Sequence, residues 1–465
     1  MFLVEFFLKN VFSTLKYLIY LVKLRIIYRS MAINLKKIRS VHCIGIGGIG
    51  LSAVARMLYL QGKKVTGSDR DKSKVTDGLE KIGIPVSISN VAANIPRDCD
   101  LVLYTNALPA DNSELIEARK RNIPILSYPE ILGLLLKDKF IIAISGTHGK
   151  TTTTAMVGEI LVDAGLKPTV IVGGFIKNPQ SGQETNFISG ESEYAVVEAD
   201  EYKEAFLQLS PRILVITNID EDHLDHYRDL SHIQETFGQF VLKIPDDGFL
   251  ITDVNNPHLR AVLEYVTGTV IDYASVKPSW KLKVPGDHNI ANAKAAAAVA
   301  GLLRVNGKTI KKSLESFVGV GRRFEYKGKT ALGALVYDDY AHNPQKVEAT
   351  ISGARQMFPD KRLTVVFQPH LYSRTKFFIA KFARALSKAD CVIVTDIYAA
   401  REKEDPTISG EILARAVEKQ NKNTLFISDF TAIEKRLETG SSEKDVVITM
   451  GAGDIGKVSD KIIGR

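Results

Sequence analysis

Cysteine is scarce in this chain: Cys43, Cys99 and Cys391 are the only three among 465 residues, and they stand far apart. That excludes a disulfide framework and a paired-cysteine zinc site, and it fits a reducing, cytoplasmic setting. Long apolar runs are missing as well. The first thirty residues are strongly apolar, but Lys9, Lys16 and Lys23 interrupt them. No run approaches the ~18 residues that span a bilayer, and no small-residue cleavage site follows. On a helix those lysines form one stripe with Glu5, which makes the segment amphipathic. Two readings follow: a helix lying on a membrane surface, or an upstream extension before a true start at Met31. The second is the expectation, because the first recognisable strand begins soon after Met31; any membrane contact would run through this extension alone. Blocks of Lys and Arg interleaved with aromatics are absent too, which argues against nucleic acid.

What the chain does have is enough apolar residue, 45%, to bury several cores, over a length that predicts two or three domains. A formal charge of +8 is modest at this size and suits polyanionic small molecules. No internal repeat or low-complexity tract interrupts it.

From Ile38 the chain reads as an apolar strand, a glycine turn, a helical stretch and a second strand, KKVTGSD. That is a βαβ unit of the parallel-sheet type. Alternation continues through DLVLYT and IPILSY to a charged junction at Lys137–Lys139, where a fresh strand, FIIAIS, begins. EYAVVEAD, RILVITNI and the helical IANAKAAAAVAGLL follow; beyond GVGRRFEY come LVYDDY, RLTVVFQ, DCVIVTD and DVVITMG. The fold class expected is α/β in three domains: a Rossmann-like domain over 32–138, a central phosphate-loop ATPase domain over 139–324 and a second Rossmann-like domain over 325–465, after the extension 1–31.

Gly45-Ile46-Gly47-Gly48-Ile49-Gly50 fits G-x-G-x-x-G between a strand and a helix, where the backbone can approach a diphosphate. Ser68 and Asp69 end the next strand, at the distance expected for a ribose-binding acid. The turn does not choose between NAD, NADP and a UDP-sugar.

Ser145-Gly146-Thr147-His148-Gly149-Lys150-Thr151-Thr152 follows an apolar strand and opens a helix. Its amides are expected to wrap phosphate oxygens, Lys150 to reach the terminal phosphates, and Thr151 to ligate magnesium. Ile144 replaces the first glycine of the usual phosphate loop, so this is a shorter variant. Glu198 and His223 each follow an apolar strand of the same domain. Parallel strands bring their C-terminal ends to one edge, so both are candidate partners of Thr151 in a magnesium–ATP site.

Taken in order, GTHGKTTT, VEADE, NIDEDHLDHY, PGDHNIANAKAAAA, GVGRRFE, DDYAHNP and GAGDIGK resemble the Mur ligases over nearly the whole chain from Met31. The resemblance implies three domains, with the first glycine turn taking UDP. It further implies ATP and Mg2+ at the central loop, with Glu198 and His223 as metal ligands. Asn289 and Asn292 match adenine-side contacts, and Asp339 an aspartate near the nucleotide. Arg323 matches an arginine that meets the transferring phosphate. Tyr340, His342 and Arg374 match the pocket of the incoming amino acid. The reaction implied is amide formation through an acyl phosphate, in synthesis of peptidoglycan precursors. GIGGIGLSAVARML near the start together with FQPHLYSRT near the end resembles the branch joining L-alanine to UDP-N-acetylmuramate. The alternatives are a branch attaching a recycled peptide to the same sugar and, on the glycine turn and Asp69 alone, a nicotinamide-dependent oxidoreductase. Four positions depart from the family pattern: Tyr202-Lys203 stands for Ser-Asp, Asn343 for a second histidine and Leu371 for arginine. SHIQETFGQF lacks the lysine that other branches carbamylate, which fits the alanine-adding branch.

Overall fold

A computed structural model of the chain describes residues 33–178, 182–222, 226–400 and 402–464. The amphipathic segment before Met31 and the predicted metal ligand His223 lie outside the described residues. Among the described residues no helix is long and apolar enough to cross a membrane.

Three sheets carry the architecture, and the α/β class expected from the sequence is the one observed. The first contains β1 (Ser40–Ile44), β2 (Lys64–Asp69), β3 (Val86–Ile88), β4 (Leu101–Tyr104) and β5 (Ile125–Ser127). All four pairings are parallel, in the order β3-β2-β1-β4-β5, with β1 fully buried at the centre. A strand covered on both faces reads as a continuous apolar run, which is how β1 was legible. Ser40 and His42 are the polar exceptions buried there, and His42 hydrogen-bonds Thr66 Oγ1 and Glu114, each at 2.8 Å. This sheet belongs to a compact unit of its own, formed by the described residues up to 141 with 205–210.

The second unit holds the other two sheets. Its first sheet comprises β6 (Phe140–Ser145), β7 (Thr169–Lys177), β8 (Glu184–Ile188), β9 (Tyr194–Glu198), β10 (Ile213–Ile216), β11 (Phe249–Thr252) and β12 (Thr269–Asp272), ordered β12-β11-β10-β6-β9-β7-β8. It is parallel except for the β7–β8 pair. The ends of β6, β9 and β10 therefore open on one edge. Its last sheet runs β13-β14-β18-β15-β16-β17, from β13 (Glu325–Lys329), β14 (Leu335–Asp339), β15 (Arg362–Phe367), β16 (Cys391–Val394), β17 (Thr424–Phe426) and β18 (Asp445–Met450). Only β13 is antiparallel to its neighbour. β14 and β18 are buried through most or all of their length, with Val336, Val447 and Ile448 in the core.

Candidate active site

In the first unit the glycine turn lies between β1 and the helix Ile49–Leu60, with Gly45, Gly47 and Gly48 in the turn and Gly50 in the helix. The amides of Gly45 and Ile46 donate to Ser68 O, and Gly47 N–H donates to Asp69 Oδ2 at 2.8 Å. Asp69 thus buttresses the turn from beneath. Ser68 meets the turn through its backbone carbonyl, while its side chain is fully buried. Its hydroxyl donates to both oxygens of Glu114 at 2.8 and 2.9 Å, completing the network with His42. A buried carboxylate needs such donors, and that need takes the hydroxyl.

In the second unit the phosphate loop joins β6 to the helix Lys150–Asp163. Gly149 has φ +86°, and a Cβ there would sit 2.3 Å from Asn292 Oδ1, so only glycine fits between loop and asparagine. Asn218 fastens the loop, accepting from His148 N–H at 2.9 Å through its side chain and from Thr147 N–H at 3.0 Å through its carbonyl. Lys150, the first residue of the helix, donates to Gly146 O at 2.7 Å and to Glu201 at 2.6 Å. Burial would lower its ammonium pKa, but Glu201 and Asp200 outweigh that and raise it. The charge is therefore secure at physiological pH.

Glu198, the last residue of β9, reaches the same loop. It accepts from Thr151 Oγ1 at 2.9 Å and from Gly173 N–H at 2.6 Å. Burial raises its pKa, opposed by Lys150, by those two hydrogen bonds and by Arg323. A hydroxyl and a carboxylate side by side are hard oxygen donors of the kind magnesium takes, so these residues fit the ion.

These groups face a cavity of about 380 Å³, lined by Thr147–Thr152, Glu198, Asn289, Asn292, Arg323 and Asp339. The two asparagines lie on the helix Asp287–Leu302; Asn289 donates to Pro285 O at 2.7 Å and Asn292 to Asn289 at 3.3 Å. Asp339 ends β14 and accepts from the amides of Phe324 at 2.8 Å and Ala341 at 2.7 Å. Burial lifts its carboxyl to about 6, against the pull of Arg323. Phe324 has φ +49°, so the carboxylate holds a left-handed backbone beside Arg323.

Beyond it the rings of Tyr340 and His342 lie 5.2 Å apart, with the Arg323 guanidinium 5.1 Å from the Tyr340 ring. His342 is 6.0 Å from His370, whose Nδ1 is 3.2 Å from Arg374. Burial first, then Lys346 and Arg374, hold His342 well below the usual histidine range, so it is neutral. The structure thus brings Tyr340, His342 and Arg374 into one cluster. His370, Tyr398 stacked on it, Glu201 and Lys346 belong to these surroundings and were missed by sequence reasoning. Glu201 and His370 lie inside the quoted motifs VEADE and FQPHLYSRT without being singled out there, while Tyr398 and Lys346 lie outside every quoted motif. Asn343 itself caps the helix Pro344–Met357, accepting from Lys346 N–H at 2.9 Å.

Three family models match in order: the Mur ligase family catalytic domain over residues 40–140, the Mur ligase middle domain over 144–280 and the Mur ligase glutamate ligase domain over 322–453. The UDP-N-acetylmuramate–L-alanine ligase of Caldanaerobacter subterraneus is 39% identical, over 93% of this chain and 99% of its own. The chain belongs to the Mur ligase family. The enzyme of the same name from Clostridium tetani is 41% identical over 92% of this chain and 98% of its own. A crystal structure of UDP-N-acetylmuramate-alanine ligase from Thermotoga maritima superposes with a TM-score of 0.79 at 31% identity, covering 91% and 98% of the two chains. As a Mur ligase the protein is an ATP-dependent ligase, and the oxidoreductase alternative falls. The glycine turn therefore belongs to a ligase domain and not to a hydride-transfer site.

Proposed function

We propose that this Mur ligase joins L-alanine to the lactyl carboxylate of UDP-N-acetylmuramate, using ATP and Mg2+, in cytoplasmic synthesis of peptidoglycan precursors. The supporting observation is that Lys150, Thr151, Glu198, Arg323 and Asp339 line one cavity, with the Tyr340–His342–Arg374 cluster beside Arg323. Residues 32–138 then take the UDP-sugar, 139–324 the nucleotide and 325–465 the amino acid.

In the first step a carboxylate oxygen bonds to the γ-phosphorus as the bond to the β–γ bridging oxygen breaks, giving an acyl phosphate and ADP. The alanine amine then bonds to the acyl carbon, loses a proton and expels phosphate. Two anions must approach each other, so alignment and charge neutralisation are the protein's main contributions. Lys150 and Arg323 supply fixed positive charge. Thr151 and Glu198, with His223, would hold the magnesium, which when bound neutralises phosphate charge. Arg374 offers the planar donor pair that suits an amino acid's carboxylate. No side-chain nucleophile is needed.

The test is ADP release with UDP-N-acetylmuramate, comparing L-alanine, L-serine, glycine and the recycled tripeptide. L-alanine should be preferred; a better rate with the tripeptide would move the protein to the peptide-attaching branch.

A further inference from the structure

One cation in the nucleotide cavity has no role in the scheme above. Lys346 lies in the first turn of the helix Pro344–Met357 and lines the cavity together with Lys150 and Arg323. Three features make it an odd place for a lysine. A helix N-terminus carries partial positive charge and favours acids, and this first turn contains none. Its ion pair is loose, 3.8 Å to Asp222, whereas Lys150 meets Glu201 at 2.6 Å. It is also largely enclosed, with a side-chain exposure of 22%. A cation so placed is costly unless an anion completes its surroundings.

The neighbours say where that anion belongs. The loop residue His148 and the helix residue Gln345 are joined at 2.9 Å, and Gln345 donates to Asp220 at 2.7 Å. The turn bearing Lys346 is thus pinned against the phosphate loop. On its other side lies His342 of the aromatic cluster, whose proton affinity Lys346 depresses. Burial, with Arg323 and Lys150 nearby, pushes the Lys346 ammonium itself down to about 8, against the opposing pull of Asp222 and Glu201. Its charge is still present at neutral pH, and it stands between the phosphate loop and the cluster proposed for alanine.

We propose that Lys346 is a further catalytic residue whose ammonium contacts the γ-phosphoryl group of the nucleoside triphosphate as it passes to the substrate carboxylate. The inference rests on the ligase reading above. Lys346 stays protonated and forms no covalent bond. It neutralises the phosphoryl oxygens while the new O–P bond forms and the bridging pair leaves with ADP.

The test uses the full chain with Lys346→Met, Lys346→Gln and Lys346→Arg. Calorimetry with magnesium–ADP and with a magnesium-bound non-hydrolysable triphosphate gives the ratio of the two affinities. Lys346→Met should lose about tenfold or more of that ratio, and kcat for ADP release should fall roughly 10- to 100-fold, as for other preorganised charges. KM for the UDP-sugar should stay within about twofold, and Lys346→Arg should recover part of both losses. If the methionine variant melts early, the glutamine variant serves in its place. Equal loss of diphosphate and triphosphate affinity would reduce Lys346 to packing between helix and loop and overturn the proposal, as would an unchanged ratio with unchanged kcat. Should the unmodified protein release no ADP with any sugar and amine, the ligase reading fails, while the affinity ratio still decides Lys346.

Discussion

At the scale of single residues, Lys150 and Glu198 differ in how the fold treats their charge. Lys150 is enclosed yet remains charged, because Glu201 and Asp200 stand beside it. Lys150→Ala removes that charge and leaves Glu201 buried opposite an empty place. Turnover in the ADP-release assay should drop by about 10² or more, and a near-normal rate would remove Lys150 from the mechanism. Glu198 is pushed the other way, toward its neutral form, by burial. A buried carboxylate with a raised pKa, next to Thr151, is one whose ionised form gains most from a bound cation. Glu198→Ala should therefore raise the magnesium requirement while UDP-sugar binding stays largely intact. Unchanged magnesium–ATP affinity by calorimetry would count decisively against the metal assignment.

At the scale of an element, the helix Lys150–Asp163 serves two ends. Its start carries the loop, and its body is buried through Met156, Val157, Ile160 and Leu161. Glu159 sits among these apolar neighbours, four residues before Asp163. Burial, then repulsion from Asp163, lifts its carboxyl from the ordinary 4.5 to about 7, although Lys283 opposes this. The folded chain therefore holds that proton over a pH range in which the unfolded chain has released it. The stability this contributes is complete below pH 4.5 and is lost as pH rises towards 7. Glu159→Gln removes the penalty of ionisation, so at pH 8 the variant should be more stable by on the order of 1–3 kcal/mol. The difference should vanish at pH 4. Urea melts at the two pH values check this, and a variant equally stable to the parent at pH 8 would contradict it.

Across the whole molecule, the parallel framework was legible because buried strands such as β1, β6, β10 and β18 are apolar runs ending in turns. The antiparallel additions were not. β7 contains Gly173-Gly174 and shifts register between Ile171 and Ile176, and β13 is the half-exposed EYKGK. In both, the alternation that identifies a strand is broken. The site divided in the same way. Lys150, Thr151 and Glu198 follow from loop chemistry and strand ends, whereas His370 and Tyr398 join the aromatic cluster only through the packing of separate connections. Under the function proposed above, that packing bears on amino-acid choice. Leu371, which replaces a family arginine, has φ +69° and donates its N–H to Tyr398 O at 3.0 Å, so its backbone fixes the approach to Arg374. With Leu371 uncharged, Arg374 is the arginine left in that motif to hold a carboxylate, and His370 orients it. Arg374→Ala should raise the KM for L-alanine at least about tenfold, the scale of a charged hydrogen-bonded contact, and leave the KM values of ATP and the UDP-sugar within about twofold. Glycine and L-serine should be affected in parallel, because they present the same carboxylate and differ from alanine by a group worth only about 1–3 kcal/mol. If the KM values of ATP and alanine rise together, Arg374 supports the lobe as a whole and the alanine carboxylate is held elsewhere.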